Sequence, residues 1–424
     1  MKTRWIRRLL WLAGFACLWL NVFDDPPLRT GPYVQDVTTE AATIAKVTDV
    51  ASEARVVVTD RDGRVVAARR SDGSRRRHAL RITGLEPERV YEYVLTPTRD
   101  GEERGSLRTA PARDDAPVRF AFLGDSGGQP WWTWLQRTPA LHLPARWGWL
   151  PPRGPVVDVA AGVAAHAPDF VLPLGDVIYP SGRHAHYAAG FFRPFAEVLR
   201  HAPVYPVVGN HDVMDAAGQQ VLANFHVPSC AQTGDGRCFS FARGPVRVLA
   251  LDCNTHYAGD RFEPGHPSSD FLAAQLRTCT EPWIVVASHF PIRSASRQRN
   301  RGDLMVTLLP ELAAHHVSLY LSGHDHCYQR FGPGPDMPVP LVVSGGGGKS
   351  LYEVRPGEGA AVLASAYHWC SAETVGDALR VVAHGLDGQA LDSFELALPS
   401  GAELDALRAS NPGRAARIDA LRQR

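Results

Sequence analysis

The hydrophobic pattern changes at the polar linker ARDDAP, residues 112–117. Before it lie seven short strand-like segments: PYVQDV, ATIAKV, ARVVVTD, RVVAAR, HALRIT, VYEYVLT and GSLRT. Turn residues separate these segments, and the pairs Asp62-Gly63 and Asp72-Gly73 are typical of hairpin turns. Seven short strands at this spacing predict a β-sandwich over residues 30–112.

After the linker, from residue 118 to 395, strand-like runs alternate with helical stretches such as VVDVAAGVAAH (156–166) and SDFLAAQLRTC (269–279). This alternation predicts a layered α/β domain. The segments ALRVVAHGL and QALDSFEL, joined by an Asp-Gly turn, predict a hairpin that closes one sheet edge. Residues 396–424 form a charged tail that we expect to be helical or disordered. The predicted fold class is therefore α/β, with a β-sandwich domain in front of the layered domain.

Residues 1–29 have the pattern of a signal peptide or an N-terminal anchor. The basic start MKTRWIRR precedes apolar residues 9–20, a stretch that is short for a membrane span. We therefore expect an exported protein that is extracellular, periplasmic or membrane-anchored.

Six cysteines follow Cys17, and an even number in an exported chain favours disulfides, with Cys230 and Cys238 as the best-placed pair.

Composition restricts the classes of partner. The formal net charge of +1 provides no overall field that would attract nucleic acid. Lysine occurs only at Lys2, Lys46 and Lys349, and we attach no function to that bias.

The insertion 129–154 is rich in tryptophan, which favours a loop folded over its own aromatic cluster. A lid that faces the substrate and a patch that rests on a membrane or cell surface are the alternatives.

Residues that can bind metal ions stand at the ends of strand-like runs in the layered region. The runs and their terminal residues are VRFAFLGD (Asp125), DFVLPLGD (Asp176), VYPVVGNHD (Asn210, His211), VRVLALDCN (Asp252, Asn254), WIVVASH (His289) and VSLYLSGHDH (His324, His326). Ligands of open α/β sheets bind beyond the carboxyl ends of the strands, so we expect these side chains to converge. Asp252 and Asn254 are left without an assigned role.

The residue types favour a site for two metal ions. Carboxylate and amide oxygens suit hard cations, and imidazole suits iron and zinc. Two ions about 3.5 to 4 Å apart can clamp the attacking and leaving oxygens of an in-line displacement. Such a site needs a bridging carboxylate, for which Asp176 is the candidate. The other ligands divide into Asp125 and His326 for one metal, and Asn210, His289 and His324 for the other.

Tyr179 stands three residues after Asp176. A tyrosine hydroxyl has a pKa of about 10 and becomes a good ligand only beside a strong Lewis acid, for which ferric iron is the natural candidate. A tyrosine that packs at a strand end is the alternative, but within this set of residues we interpret Tyr179 as a ligand.

The order of the motifs GDSGG, GDVIY, GNHD, SHFP and GHDH resembles the five sequence blocks of the calcineurin-like metallophosphoesterases. It is most similar to the purple acid phosphatases, and the upstream fibronectin type III-like sandwich also fits that family. Most metallophosphoesterases carry a histidine at the position of Gly127. Purple acid phosphatases lack it and use the tyrosine that corresponds to Tyr179. The resemblance covers residues 118–395 and implies a layered α/β/β/α metallophosphoesterase domain.

The resemblance also implies a role for each matched residue. Ferric iron would be bound by Asp125, Asp176, Tyr179 and His326, and a divalent ion (iron, zinc or manganese) by Asp176, Asn210, His289 and His324. His211 would be the catalytic histidine, oriented by Asp212, while a metal-held hydroxide attacks phosphorus in line. Three further histidines are candidates for the surroundings of the site: His184, His186 and His368.

Together these features predict a metal-dependent hydrolase of phosphomonoesters that acts on a phosphorylated small molecule rather than on nucleic acid. A phosphodiesterase or nucleotide hydrolase that uses the same metals is the alternative, because the motifs do not separate these activities. A non-catalytic surface-binding protein is a third reading, but such a protein would be expected to have lost ligands that are present here.

Residues 344–350 imitate a phosphate-binding P-loop. Val343 occupies a position where that motif requires glycine, and a strand-like segment follows where it requires a helix. We therefore interpret these residues as a glycine-rich turn whose backbone lies near the active site.

Overall fold

The computed structural model describes residues 5–6, 8–14, 28–96, 101–127, 154–255, 260–296 and 300–423. Most of the predicted signal or anchor segment and nearly all of the tryptophan-rich insertion therefore lie outside the described residues. No described helix is both long and apolar enough to cross a membrane. The strands of the described residues form four sheets.

The first two sheets form a β-sandwich. Its strands are β1 (Tyr33–Gln35), β2 (Ala41–Ser52), β3 (Arg55–Thr59), β4 (Val65–Arg70), β5 (Arg75–Thr83), β6 (Val90–Thr96) and β7 (Glu103–Arg108). One sheet has the order β1-β2-β5 and the other the order β4-β3-β6-β7. All seven predicted strands are present, and apolar side chains from both sheets share one core. The Tyr91 hydroxyl accepts a hydrogen bond from the Glu86 backbone N–H at 2.9 Å, as in the tyrosine corner of immunoglobulin-like sandwiches.

Of the two hairpins predicted in this region, one is present and the other is not. The turn at Asp62-Gly63 joins the paired strands β3 and β4, as predicted. The hairpin predicted at Asp72-Gly73 is wrong, because β4 and β5 belong to different sheets. The local turn chemistry is the same at both places, but pairing depends on which sheet the following strand joins.

The other two sheets form the layered domain. Its strands are β8 (Arg119–Leu123), β9 (Phe170–Pro173), β10 (Phe239–Arg243), β11 (Val246–Leu251), β12 (Trp283–Ser288), β13 (Leu319–Ser322), β14 (Tyr328–Phe331), β15 (Leu341–Ser344), β16 (Val362–Ala364), β17 (His368–Val375), β18 (Ala378–Gly385) and β19 (Ala390–Ala397). One sheet has the order β10-β11-β12-β13-β15-β14-β16 and the other β19-β18-β17-β8-β9. Strands β8 and β9 are parallel, as are β11, β12, β13 and β15. The predicted hairpin of β18 and β19 is confirmed at a sheet edge.

Helices pack around the two sheets of the layered domain. They are α1 (Pro155–His166), α2 (Ala196–Leu199), α3 (Asn210–Val213), α4 (Gln219–Asn224), α5 (Pro267–Thr278), α6 (Leu309–Ala314), α7 (Gly401–Ser410) and α8 (Pro412–Arg422). Short 3₁₀ turns occur at His184–His186 and Ala216–Gly218, and π-helical turns at Ala188–Phe192 and Leu304–Leu308.

The hydrophobic clusters show the order in which sheets and helices are layered. Side chains from both sheets pack between them, including Phe120, Phe170, Val285 and Leu319. Helix α1 packs on the outer face of β8, and α5 and α6 pack on the outer faces of β11, β12 and β13. The layer order is therefore α/β/β/α, as the resemblance implied.

Buried contacts join the sandwich to the layered domain. The Tyr33 hydroxyl donates to the Asn224 carbonyl at 2.9 Å, and the Tyr93 hydroxyl donates to the Arg200 carbonyl at 3.0 Å. Val47 of β2 belongs to the same hydrophobic cluster as α1. The two domains therefore share part of their hydrophobic interior.

The six described cysteines are buried free thiols. Cys230 and Cys238, the predicted pair, interact: the Cys238 thiol is the main influence that lowers the pKa of Cys230 to about 5. A disulfide between them stays a prediction.

The C-terminal tail forms two packed helices. Leu404 and Leu407 of α7 and Ile418 of α8 are buried in the core between the two sheets. Arg414 of α8 is 0% exposed, although it is a charged residue in a segment that reads as polar.

We expect Arg414→Met to lower the free energy of unfolding by about 2 to 4 kcal/mol, because three carbonyls, of which that of Pro282 is buried, would lose their donor. The Arg414 guanidinium donates to the carbonyl oxygens of Pro282, His315 and His316 at 2.8 to 3.0 Å. Denaturant unfolding of the full chain measures the change. Arg408→Met is the control, because Arg408 is half-exposed and should leave the stability nearly unchanged. Equal stability of the two variants would contradict the anchoring role.

Candidate metal centre

The structure places six of the seven predicted ligands at the end of a strand or at the start of a helix, and Tyr179 in the connection that follows Asp176. The positions are Asp125 after β8, Asp176 after β9, Asn210 at the start of α3, His289 after β12, and His324 and His326 after β13. Strands β8 and β9 are neighbours in one sheet, and β12 and β13 are neighbours in the other. Side chains from both sheets therefore meet at one edge of the layered domain.

Three of these residues have a left-handed backbone, with φ of 58° at Asp125, 50° at Asp176 and 67° at His324. Residues other than glycine seldom adopt this conformation, which costs on the order of 1 kcal/mol or more each. Hydrogen bonds hold it: His324 N–H donates to Asp125 Oδ2 at 2.8 Å, and Asp176 N–H donates to Asp212 Oδ2 at 2.9 Å. Strain that the fold maintains at three neighbouring side chains is typical of a functional site.

Tyr179 lies at the centre of one half of the site. Its hydroxyl donates to Asp125 Oδ1 at 2.7 Å and lies 3.0 Å from Asp176 Oδ2 and 3.3 Å from His326 Nε2. His326 Nε2 is also 3.3 Å from Asp125 Oδ1. The four side chains that the resemblance groups around ferric iron thus lie together.

Asn210 lies at the centre of the other half. Its Oδ1 atom is 3.0 Å from His289 Nε2 and 3.0 Å from His324 Nδ1. His289 Nε2 is 3.4 Å from Asp176 Oδ2, the same oxygen that lies beside the Tyr179 hydroxyl. Asp176 therefore stands between the two halves, where a bridging carboxylate would have to be.

Hydrogen bonds turn the free nitrogens of two histidines toward the centre. His289 Nδ1 donates to the Leu174 carbonyl at 2.8 Å, and His326 Nδ1 donates to the Ser350 carbonyl at 2.8 Å. A neutral imidazole that is protonated on Nδ1 presents a lone pair on Nε2. With neutral His289, the lone pair on Nε2 faces Asn210 Oδ1 and Asp176 Oδ2, and a proton or a metal ion among these atoms would remove their repulsion. The donor set fits metal binding on this observation.

The pKa values show the same shortage of positive charge. Burial alone would lower the pKa of His289, but the carboxylates of Asp176 and Asp125 raise it to about 9. Burial would raise the pKa of Asp176, but His289 and His211 hold it below its usual range. Burial and the two carboxylates raise the pKa of Tyr179 well above its ordinary value. A proton on His289 thus takes the place of a cation that the carboxylates would otherwise bind.

Gly127 explains why a tyrosine accompanies the missing histidine of the first motif. A Cβ atom at residue 127 would lie 2.5 Å from Cδ2 of Tyr179 and 2.9 Å from its backbone nitrogen. A side chain at residue 127 and the Tyr179 ring therefore compete for one space. The glycine at residue 127 and the tyrosine at residue 179 therefore belong to one packing arrangement.

His211 lies beside the centre, with Nε2 4.0 Å from Asp176 Oδ2. The expectation that Asp212 orients it is wrong. His211 Nδ1 donates to the Pro180 carbonyl at 2.7 Å, whereas Asp212 Oδ2 accepts the N–H groups of Gly209 and Asp176 at 2.8 and 2.9 Å. Asp212 therefore supports the strained backbone at Asp176, and a loop carbonyl orients the histidine.

The three further histidines have different surroundings. His368 is buried beneath the glycine-rich turn, with Nε2 3.0 Å from Ser344 Oγ. His184 Nε2 accepts the backbone N–H of Leu28 at 2.9 Å, in the segment that leads into the sandwich. His186 Nδ1 donates to a backbone carbonyl of its own loop at 3.0 Å. His368 thus supports the turn, and His184 links the loop to the N-terminal part of the chain.

Two residues near the centre were not assigned a role from the sequence. Asn254 Nδ2 donates to the Val208 carbonyl at 3.0 Å, directly before the turn that carries Asn210. In the sequence, the position of Asn254 at the end of a strand-like run was the feature that could have indicated this role. The Lys349 ammonium lies 4.3 Å from the centre of the Tyr179 ring. The sequence indicated that this turn lies near the site but assigned nothing to its lysine.

Residues 118–328 match the family model described as calcineurin-like phosphoesterase. Residues 118–328 therefore resemble a domain of that family, as the five motifs predicted. The fold of β8 to β13 and the convergence of the motif residues at one sheet edge agree with the match.

Two other proteins are similar to this chain in sequence. Tartrate-resistant acid phosphatase type 5 of Sus scrofa is 29% identical over 253 residues, which cover 53% of this chain and 68% of that protein. An uncharacterised protein of Mycobacterium tuberculosis is 26% identical over 347 residues, which cover 73% of this chain and 64% of that protein. The match thus spans slightly less than two thirds of the length of the mycobacterial relative.

A solved structure shows the same fold over most of the chain. The purple acid phosphatase PPD1 from yellow lupin (Lupinus luteus) seeds has a TM-score of 0.70 at 16% identity, covering 88% of this chain and 75% of that one. Purple acid phosphatases are therefore among the proteins that this chain resembles in both sequence and fold.

We expect Gly127→Ala to displace Tyr179, because the new Cβ would overlap its ring and backbone. The variant should lose about 1 to 3 kcal/mol of stability through overpacking and should retain less metal than the unchanged chain. Elemental analysis and denaturant unfolding measure both effects. Gly302→Ala is the matched control, since a Cβ there meets nothing within 4 Å. Full metal content in Gly127→Ala would show that the Tyr179 position does not depend on this contact.

Proposed function

We propose that this protein is a metal-dependent phosphoester hydrolase whose preferred substrates are phosphomonoesters of small molecules. The observation that supports the proposal best is the position of Asp176 Oδ2, which lies beside Tyr179 of one half of the site and His289 of the other. Two ions on either side of a shared carboxylate suit in-line displacement at phosphorus. The family match of residues 118–328 and the phosphatase relatives favour the same reaction class.

We assign the metals as the resemblance implies. The first position would be held by Asp125, Asp176, Tyr179 and His326, and the second by Asp176, Asn210, His289 and His324. Burial and two carboxylates raise the pKa of Tyr179, so only a strongly acidic ion would displace the phenolic proton, which favours ferric iron. Two imidazoles and an amide oxygen at the second position suit a divalent ion such as iron, zinc or manganese.

The ions, when bound, supply Lewis acidity and lower the pKa of water. The chain itself supplies proton chemistry through His211. The Pro180 carbonyl holds Nδ1 of that ring, and the side chain is 28% exposed, so Nε2 can be reached from solvent. In its cationic form, His211 would donate a hydrogen bond or a proton from Nε2 to an oxygen of the phosphoryl group or of the leaving group.

The proposal includes the domain limits and the location of the protein. We assign residues 30–112 to the sandwich and 118–395 to the catalytic domain, because in the described residues no sheet contains strands from both ranges. We also propose export, on the strength of the basic start and apolar residues 9–20.

The first experiment is elemental analysis of the purified full chain together with hydrolysis of p-nitrophenyl phosphate and bis(p-nitrophenyl) phosphate. We expect about two metal ions per chain, one of them iron, and faster hydrolysis of the monoester. The Tyr179→Phe variant should lose any visible charge-transfer absorbance while it stays folded.

The other outcomes separate the alternatives. Two metals without iron would keep the hydrolase and contradict the iron assignment of Tyr179. Faster hydrolysis of the diester would favour the phosphodiesterase. A chain that retains no metal even after reconstitution would contradict the enzyme and favour a surface-binding protein.

We expect His211→Ala to keep both metals and to lose on the order of 10²- to 10⁴-fold in kcat, because it removes the proton donor and not a ligand. Steady-state kinetics and metal analysis on the same preparation measure both properties. His315→Ala is the control, since that side chain pairs with Glu311 at a helix end. Turnover equal to that of the control would remove His211 from the mechanism.

A further inference from the structure

The glycine-rich turn is fastened to the metal centre on both sides of Lys349. The backbone N–H of Lys349 donates to the Asp125 carbonyl at 3.0 Å. The carbonyl of the next residue, Ser350, accepts the Nδ1–H group of His326 at 2.8 Å. Lys349 is thus held between two predicted ligands of the first metal by its own backbone and that of its neighbour.

The side chain of Lys349 lies at the site rather than in open solvent. Its Nζ atom is 4.3 Å from the centre of the Tyr179 ring, a distance at which the ring attracts a cation. The carboxylates of Asp176 and Asp125 act on the same ammonium. The side chain is half-buried, so one part of it remains within reach of a molecule that enters from solvent.

The protons of this ammonium have no acceptor within the described part of the chain. There the ammonium interacts with the Tyr179 ring and, through charge alone, with the two carboxylates. An ammonium carries three N–H donors, and in this partly exposed position they remain available to an acceptor from solution. An oxygen acceptor from solution would satisfy them.

The type of residue is also informative. Lysine occurs at three positions among 45 lysines and arginines, so a lysine here is not explained by the usage of the chain. Arginine presents a rigid planar fork, whereas lysine is a compact point charge whose donors rotate toward one oxygen. A compact cation fits a position against an aromatic ring.

We propose that the ammonium of Lys349 binds a non-bridging oxygen of the phosphoryl group of the substrate and favours dianionic monoesters over monoanionic diesters. The inference rests on the proposed function and adds to it a contact that none of the five motifs contains. Attraction between charges scales with their product, so the added positive charge stabilises a dianion more than a monoanion. The turn that imitates a P-loop would then contact phosphate through its lysine, without the helix that a P-loop requires.

The test compares the metal-loaded full chain with its Lys349→Met and Lys349→Arg variants. Calorimetry gives the dissociation constant of inorganic phosphate, elemental analysis gives the metal content, and kinetics gives KM and kcat for a monoester and a diester. We expect Lys349→Met to bind phosphate about 10- to 100-fold more weakly at unchanged metal content. Its KM should rise more for the monoester than for the diester.

Two further variants control for charge. Lys349→Arg keeps the positive charge and should recover part of the phosphate affinity. Arg76→Met removes an exposed positive charge from the sandwich and should bind phosphate as the unchanged chain does. This pair separates a local contact from a change in net charge.

Equal phosphate affinity of Lys349→Met and the unchanged chain, at equal metal content, overturns the proposal. Loss of metal from Lys349→Met also overturns it, because the lysine would then support the centre and not the substrate. An unchanged chain that holds its metals but neither binds phosphate nor hydrolyses either ester overturns the proposed function itself. The two failures are therefore distinguishable.

Discussion

Negative charge buried at the junction of two sheets is the constraint on which the layered domain depends. Asp125 and Asp176 are almost completely buried, and the hydroxyl of Tyr179 lies within hydrogen-bonding distance of both. Carboxylates away from water are unstable unless donors or positive charge surround them. Backbone N–H groups and the phenol satisfy part of this need, and the raised pKa of His289 shows that a positive charge is still favoured there. Metal ions would supply it.

The fold maintains this arrangement through backbone geometry. Left-handed conformations at both aspartates turn their side chains into the site, and Asp212 supports one of them by accepting two backbone N–H groups. Gly127 leaves room for the Tyr179 ring. Each of these features is local, but each is needed because two strands of one sheet and two of the other must deliver ligands to the same small volume.

The groups proposed to act on the substrate surround this centre. His211 is held by a loop carbonyl on one side, and Lys349 by the glycine-rich turn on another, and both lie against Tyr179. Neither is needed to bind metal in the proposed ligand sets. Their positions add hydrogen-bond donors where a phosphoryl group would be bound, so ligand residues and substrate residues can be separated by mutation.

The sequence by itself determined the α/β class and predicted two domains and seven candidate ligands, because strand periodicity and the residues at strand ends are local features of the chain. Only the tertiary structure decided that Pro180 rather than Asp212 orients His211, that Asp72-Gly73 joins two sheets, and that Lys349 reaches Tyr179. These depend on backbone carbonyls, on the choice of sheet and on contacts between residues 170 positions apart. None of them leaves a local pattern, since such contacts form only when distant segments pack together.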